Sequence, residues 1–381
     1  MNRILEIRYP PKVVFGEGCI ASLTDDLARL YLDRVLIVTV PPLLGVLKPV
    51  HDAWTRKGMR VTYDVSIAGE PLFEDYLKVL DAAGQDRPQA VIGVGGGSVM
   101  DVAKLVAAQL THRQSVDEFI GSGRLPKRDT LLVCVPTTAG TGSEASPNAI
   151  FVDGRDGQKK GVISPELVPD AVYVDPALAV TLPPQVTAAT GLDALSHCIE
   201  AYTNRFAHPM VDLYALEGIR LISSSLARAC RDGTDMDARS AMALGSFYGG
   251  VCLGPVNTAA VHALSYPLGC RFHVAHGLSN AILLPHVMRY NQSAAPERYA
   301  AVAMAMGAKA ARDQDLPEAG VLKVIELMRH CRMPLTMSAL NIPEDVIPLM
   351  AEEAIQITRL LKNNPREVGY RDALDIYHAA Y

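Results

Sequence analysis

Short apolar runs rich in β-branched residues alternate with amphipathic stretches through the first half of the chain. RVLIVTV at 34–40, QAVIGVGGGS at 89–98 and TLLVCVPTT at 130–138 read as strands buried on both faces, the pattern of a parallel sheet. Residues 5–15, which end in VVFGEG, and RVTYDVS at 60–66 read as further strands. Between them 20–32, 43–57, 73–83 and 100–110 carry helical spacing, and strands alternating with helices predict a doubly wound α/β domain. Strand-like pieces follow Asp153, AVYVD at 171–175 among them, and from Pro183-Pro184 the pattern is helical nearly to Tyr381. The expected division is an α/β domain over 1–182 and an all-α domain over 183–381.

One helical stretch carries chemistry. TAATGLDALSHCIEAYT at 187–203 spaces Leu192, Leu195 and Ile199 as a helix does. Asp193 and His197 stand four residues apart, so they project from one face and can reach a single metal ion. The same spacing also serves a plain Asp–His hydrogen bond. Downstream, His262 lies in an apolar helical run that Pro267 and Gly269 are expected to break, and His276 opens a second run that Pro285 is expected to close. One carboxylate and three imidazoles suit a divalent first-row metal. A buried, satisfied histidine at 262 and a capping one at 276 are the alternatives. Cys198 points to another helix face and reads as core.

Two turns sit where ligands of open α/β sheets bind, at the carboxyl ends of strands. VIGVGGGSVMDVAK is a strand, a glycine turn and a helix, whose backbone N–H groups and N-terminal dipole suit a pyrophosphate. Its spacing is not G-x-G-x-x-G, because Ser98 stands in place of the last glycine, and a tight structural turn reads equally well. PTTAGTGSEAS at 136–146 offers the hydroxyls of Thr137, Thr138, Thr141 and Ser143, with Gly140 and Gly142 allowing close backbone approach. The bland reading is a surface loop of small residues.

With 381 residues, 49% hydrophobic and 20% charged, the chain has the composition of a globular protein with room for two domains. A net charge of −5 without a long basic run argues against nucleic acid. No 18-residue apolar stretch and no apolar leader occur, so neither a membrane span nor a signal peptide is expected. Seven scattered cysteines without a CxxC pair point to reduced thiols in the cytoplasm.

GGGSVMDVAK, PTTAGTGSE, TGLDALSHCIEAYT and ILLPHVMRYN occur in one order, between FGEG at 15–18 and NPREVGYRDALDIYHAAY at 364–381. In these motifs the chain resembles the iron-containing (group III) alcohol dehydrogenases from end to end. The resemblance implies a Rossmann-like N-terminal domain, an all-helical C-terminal domain (the dehydroquinate synthase-like arrangement) and a homodimer. It implies metal ligation by Asp193, His197, His262 and His276, with Fe²⁺ first and Zn²⁺ as the alternative. It implies NAD or NADP contacts at Gly95, Gly96, Gly97, Ser98, Asp101, Thr137, Thr138, Thr141 and Ser143. Two positions depart from many relatives. Where NAD-preferring members carry Asp at the end of the second strand, this chain has Val40, so the ribose 2′-OH loses an acceptor and a 2′-phosphate loses a repulsion. Where some members carry a further histidine, this chain has Tyr266, and His273 is the nearest candidate for a proton carrier.

The expected reaction is hydride transfer between nicotinamide C4 and a small alcohol or aldehyde, with the metal polarising the oxygen. Phe151, Phe247, Tyr248, Leu253 and Tyr266 are candidate pocket walls, each also suited to the core. The rivals are a metal-free reductase like maleylacetate reductase, a zinc- and NAD-using lyase like dehydroquinate synthase, and a non-catalytic binding protein.

Overall fold

The computed structural model describes residues 4–381; residues 1–3, with which the first expected domain opens, lie outside the described residues. The chain forms two compact units. One comprises Arg8–Thr138 and Ser143–Ala179, the other Val180–Tyr381 together with Ala139–Gly142 and residues 4–7. A mixed α/β Rossmann-like unit and an all-helical unit are the architecture the sequence pattern predicts.

The first unit runs β1 (Lys12–Phe15), α1 (Ile20–Ala28), β2 (Arg34–Val38), α2 (Leu44–Arg56), β3 (Arg60–Asp64), α3 (Phe73–Asp86), β4 (Ala90–Gly95) and α4 (Gly97–Gln109). It continues through α5 (Val116–Phe119), β5 (Gly121–Ser122), β6 (Leu131–Pro136), β7 (Asn148–Asp153), β8 (Gln158–Ile163) and β9 (Ala171–Val174). Six strands form a parallel sheet in the order β1-β9-β6-β4-β2-β3. The three apolar runs singled out in the sequence are three of its four inner strands, β9 being the other, with β4 buried throughout. A second sheet, β5-β8-β7, contains a hairpin over 148–163 that the sequence pattern did not separate from its surroundings. Phe151 on β7 stacks on Phe73 at 5.0 Å and is fully buried; it is core, not a pocket wall.

Glycines set how closely α4 packs on β4. A Cβ at Gly95 would lie 2.8 Å from Val99 Cβ, and one at Gly93 2.9 Å from Ala103 Cβ. The helix therefore starts at Gly97, three residues before the expected Met100, with extended Gly96 as its N-cap.

The second unit runs α6 (Pro184–Thr203), α7 (Pro209–Arg231), α8 (Met236–Leu253), α9 (Ala260–Phe272), α10 (His276–Asn291), α11 (Pro296–Ala305), α12 (Leu316–His330), α13 (Ile347–Ala354), α14 (Thr358–Leu361) and α15 (Tyr370–Ala379). From Gly191 to Thr203 every residue of α6 is buried, as befits a helix enclosed by others. Pro267 and Gly269 do not break α9, and Pro285 does not close α10; both prolines lie inside their helices. A mid-helix proline costs about 3 kcal/mol, but Leu264, Leu268, Leu283, Leu284 and Val287 are each buried in the shared core, and that packing overrides the local penalty. No helix among the described residues is long and apolar enough to cross a membrane.

α10 meets α6 at Gly277. A Cβ there would lie 2.2 Å from the Ala189 carbonyl oxygen and 3.3 Å from Asp193 Cβ. Gly277→Ala must push backbone apart and is expected to destabilise by about 2 kcal/mol, or about 5 °C in melting temperature for a unit of this size. Gly84→Ala, at an exposed site in α3 with nothing within 4 Å of the new Cβ, is expected to leave the melting temperature unchanged or raise it. Thermal unfolding of both variants checks the contrast; a Gly277→Ala protein as stable as the parent would contradict it.

Candidate metal centre and cofactor turns

Asp193, His197 and Glu200 follow each other at i, i+4 and i+7 along α6, so one helix face presents all three. His262 stands in the first turn of α9, and His276 is the first residue of α10. The close approach at Gly277 brings His276 to Asp193, and bare Gly249 of α8, whose Cβ would lie 3.3 Å from His197 Cβ, leaves room for His197. Asp193 Oδ1 lies 3.5 Å from His262 Nε2, 3.6 Å from His276 Nε2 and 3.7 Å from His197 Nε2.

The ligand atoms of Asp193, His262 and His276 all lie within 4.8 Å of one another. His197 is not part of that set of three; its ring stacks on His262 with centroids 4.7 Å apart. Donors placed tetrahedrally at about 2.0–2.2 Å from one ion are separated by roughly 3.3–3.6 Å, so the spacing about Asp193 fits a single metal. Asn280, fully buried, turns its amide nitrogen into the same space, 2.7 Å from Asp193 Oδ1, 3.1 Å from His262 Nε2 and 3.3 Å from His276 Nε2. Its Oδ1 is buried without a hydrogen-bond partner. A hydrogen-bonded core would not leave that oxygen bare while crowding one N–H₂ with three acceptors. The constellation is a His/His/Asp metal-binding triad of the kind that takes Fe²⁺ or Zn²⁺.

Charge on the ligands follows from burial and proximity. Burial works to raise the Asp193 carboxyl, but the charges of His197 and His276 and the hydrogen bond with His262 hold it well below the usual carboxylate range. Burial works to lower His262, but the Glu200 carboxylate and the bonds to Asp193 and Glu200 push it up to about 9. Burial keeps His197 below the ordinary histidine value, against the pull of Asp193.

Two residues of this site escaped the sequence reading. Glu200 accepts from His262 Nδ1 at 2.5 Å and from the Val261 N–H at 2.7 Å; its spacing from Asp193 and His197 was the available signal. Asn280 stands four residues after His276, again one helix face. His273 is exposed at the left-handed end of α9, with φ 52°. Tyr266 is buried, its ring 6.4 Å from that of His276. Cys198 is a core thiol, pushed up to about 12 by burial.

In the sheet unit, the first turn and the start of the second lie side by side. Gly95 pairs in register with Pro136, and the Thr137 N–H donates to the Gly95 carbonyl at 3.0 Å. The amides of Gly97 and Ser98 open α4, where first-turn N–H groups have no partner within the helix. Val40, half-buried, follows the end of β2, which pairs with β4. Asp101 and Ser143 bond to each other at 2.5 Å, and Asp101 also accepts from the Ile150 N–H at 2.9 Å. Fully buried Lys104 donates to the Ser143, Ser146 and Asn148 carbonyls and to the Ser143 hydroxyl at 2.5–3.0 Å. These contacts hold the loop at 143–148. Thr141, in the helical unit, lies between Gly140, packed on Thr190, and Gly142, which has φ +60° and packs on Gly250.

Comparison with known proteins follows the same lines. Residues 10–176 match the model of the iron-containing alcohol dehydrogenases, and residues 187–381 match that of the C-terminal part of the Fe-containing alcohol dehydrogenase family. Long-chain-alcohol dehydrogenase 1 of Geobacillus thermodenitrificans is 37% identical over 99% of this chain and 97% of its own. A crystal structure of 1,3-propanediol oxidoreductase superposes with a TM-score of 0.95 at 29% identity, covering both chains in full. Sulfoacetaldehyde reductase from Bifidobacterium kashiwanohense, solved with NAD⁺, gives a TM-score of 0.90 at 25% identity, over 100% of this chain and 99% of its own. The chain belongs to the iron-containing alcohol dehydrogenase family and acts as a metal-dependent, NAD(P)-linked alcohol dehydrogenase or aldehyde reductase.

Proposed function

We propose that Asp193, His197, His262 and His276 together hold one divalent ion, iron first and zinc as the alternative. The convergence of Asp193 Oδ1 with the Nε2 atoms of His262 and His276 carries this reading. His197, 3.7 Å from Asp193 Oδ1, is the fourth ligand. A metal so held polarises an alcohol or aldehyde oxygen, and the nicotinamide carries the hydride. The protein's part is to keep Asp193 ionised, to present neutral imidazole nitrogens and to exclude water. The substrate is a small alcohol, diol or the matching aldehyde; the names of the relatives share an alcohol or aldehyde, of differing size.

The pyrophosphate of NAD or NADP rests on Gly95, Gly96, Gly97 and Ser98, with hydroxyls from Thr137, Thr138 and Thr141. Asp101 and Ser143 support this turn by fixing the loop beside it. Val40 faces the adenosine ribose. The nucleotide-binding and metal-binding parts divide near residue 182, the chain works as a homodimer, and the enzyme resides in the cytoplasm, in keeping with seven free cysteines.

Metal dependence is the first consequence. Stripping the ion with a chelator, or His262→Ala, is expected to lower kcat by roughly three orders of magnitude or more, the size that several kcal/mol of lost polarisation implies. Elemental analysis alongside alcohol oxidation decides it, and full-rate turnover by metal-free protein would end the reading.

Cofactor choice is the second. Val40→Asp restores a ribose acceptor and is expected to shift kcat/KM toward NAD by about tenfold, or about 1.4 kcal/mol. An unchanged NAD/NADP ratio would show that position 40 does not face the ribose.

The proton is the third. General acid–base catalysis contributes roughly 10²–10⁴-fold where it operates, and exposed His273 is not assigned that task. His273→Ala is expected to keep at least about a tenth of wild-type kcat across pH 5.5–10. A hundredfold loss with unchanged metal content would make His273 the proton carrier.

A further inference from the structure

Glu200 is a buried polar side chain outside the four ligands whose contacts reach the metal centre through another residue. Its side chain is buried, and its two oxygens do different work. Oε1 accepts from the Val261 N–H at 2.7 Å. Val261 is the second residue of α9, and the N-cap position, Ala259, supplies no side-chain cap. A first-turn N–H without an intrahelical acceptor is thus satisfied by a residue of another helix, at the positive end of α9. Oε2 accepts from His262 Nδ1 at 2.5 Å. In the neutral ring, the form that can bind a metal, an imidazole that donates from Nδ1 has its lone pair on Nε2, the nitrogen 3.5 Å from Asp193 Oδ1.

We propose that Glu200 is a positioning residue of the metal centre. It fixes the His262 tautomer and ring orientation so that Nε2 faces the ion, and it anchors the start of α9 that carries the ring. The inference rests on the ligand reading above. Capping alone does not require a carboxylate, because a neutral amide oxygen accepts an N–H equally well. Accepting from both Val261 N–H and Nδ1–H does require one. A glutamine at 200 must turn its N–H₂ to one of two donors. Facing His262, it demands the Nδ1 lone pair and moves the ring proton to Nε2, toward Asp193. Glutamine is therefore worse than a truncation, which leaves space for a water to accept from Nδ1–H.

The test uses full-length protein stripped of metal, with Zn²⁺ and Co²⁺ affinities measured by competition against a chromophoric chelator. Glu200→Gln is expected to weaken Zn²⁺ binding about 10–100-fold and to alter the visible spectrum of the Co²⁺ form. Its kcat falls while KM for the nicotinamide cofactor stays unchanged. Glu200→Ala is expected to lose less affinity than Glu200→Gln, the reverse of what a purely structural role gives. In a His262→Ala background, Glu200→Gln is expected to cause no further loss beyond about twofold, because both act through one ring. If His262→Ala leaves metal affinity unchanged, the ligand reading itself fails. If His262→Ala weakens binding but Glu200→Gln stays within about threefold of wild type, or its loss multiplies in the double variant, the role of Glu200 is overturned.

Discussion

A carboxylate almost wholly withdrawn from water, with histidine and amide nitrogens around it, is the constraint on which the helical unit depends. Asp193 is 2% exposed. An isolated buried charge of this kind costs several kcal/mol unless neighbours compensate it. The imidazoles of three separate helices provide that compensation in the polypeptide itself, and a divalent cation provides more of it when bound. The surrounding packing serves to make those imidazoles converge. α6 is enclosed on every side, α10 closes on it because Gly277 has no side chain, and α8 closes on it because Gly249 has none. The glycines beside the ligands are thus part of the metal site without touching the ion.

The sheet unit contains the complementary case. Lys104 is a fully buried cation satisfied by three carbonyls and a hydroxyl, and burial pulls its pKa down against the neighbouring Asp101 charge. A point charge on a flexible stem is well suited to gather carbonyls that otherwise repel one another. It fixes the loop after β6, while Gly93 and Gly95 fix the start of α4. The start of α4 and the loop at 143–148 are thus both held by contacts within the sheet unit.

Much of this was legible in the chain because it rests on local periodicity. Apolar runs marked β2, β4 and β6, and Asp193 with His197 marked one face of α6. What escaped depends on contacts distant in sequence. Glu200 reaches a histidine 62 positions away, and Lys104 reaches carbonyls about 40 positions on, so local spacing names the partner of neither, though it places Glu200 on the face of Asp193 and His197. Pro267 and Pro285 misled because the rule that proline ends a helix is a local one, and burial of the flanking leucines outweighs it. The β7–β8 hairpin went unseen because Gln158, Lys159 and Lys160 make half of β8 polar, which hides it as a strand. Of the two readings of the glycine turn, packing accounts for the structural one: Gly95 is demanded by its contact with Val99.

Anomalous diffraction from crystals of the metal-loaded enzyme tests the central claim most directly. The account predicts a single strong peak, at the absorption edge of iron or zinc, within about 2.0–2.2 Å of Asp193 Oδ1, His262 Nε2 and His276 Nε2. A fully active crystal with no peak there, or with its only metal elsewhere in the chain, would contradict it.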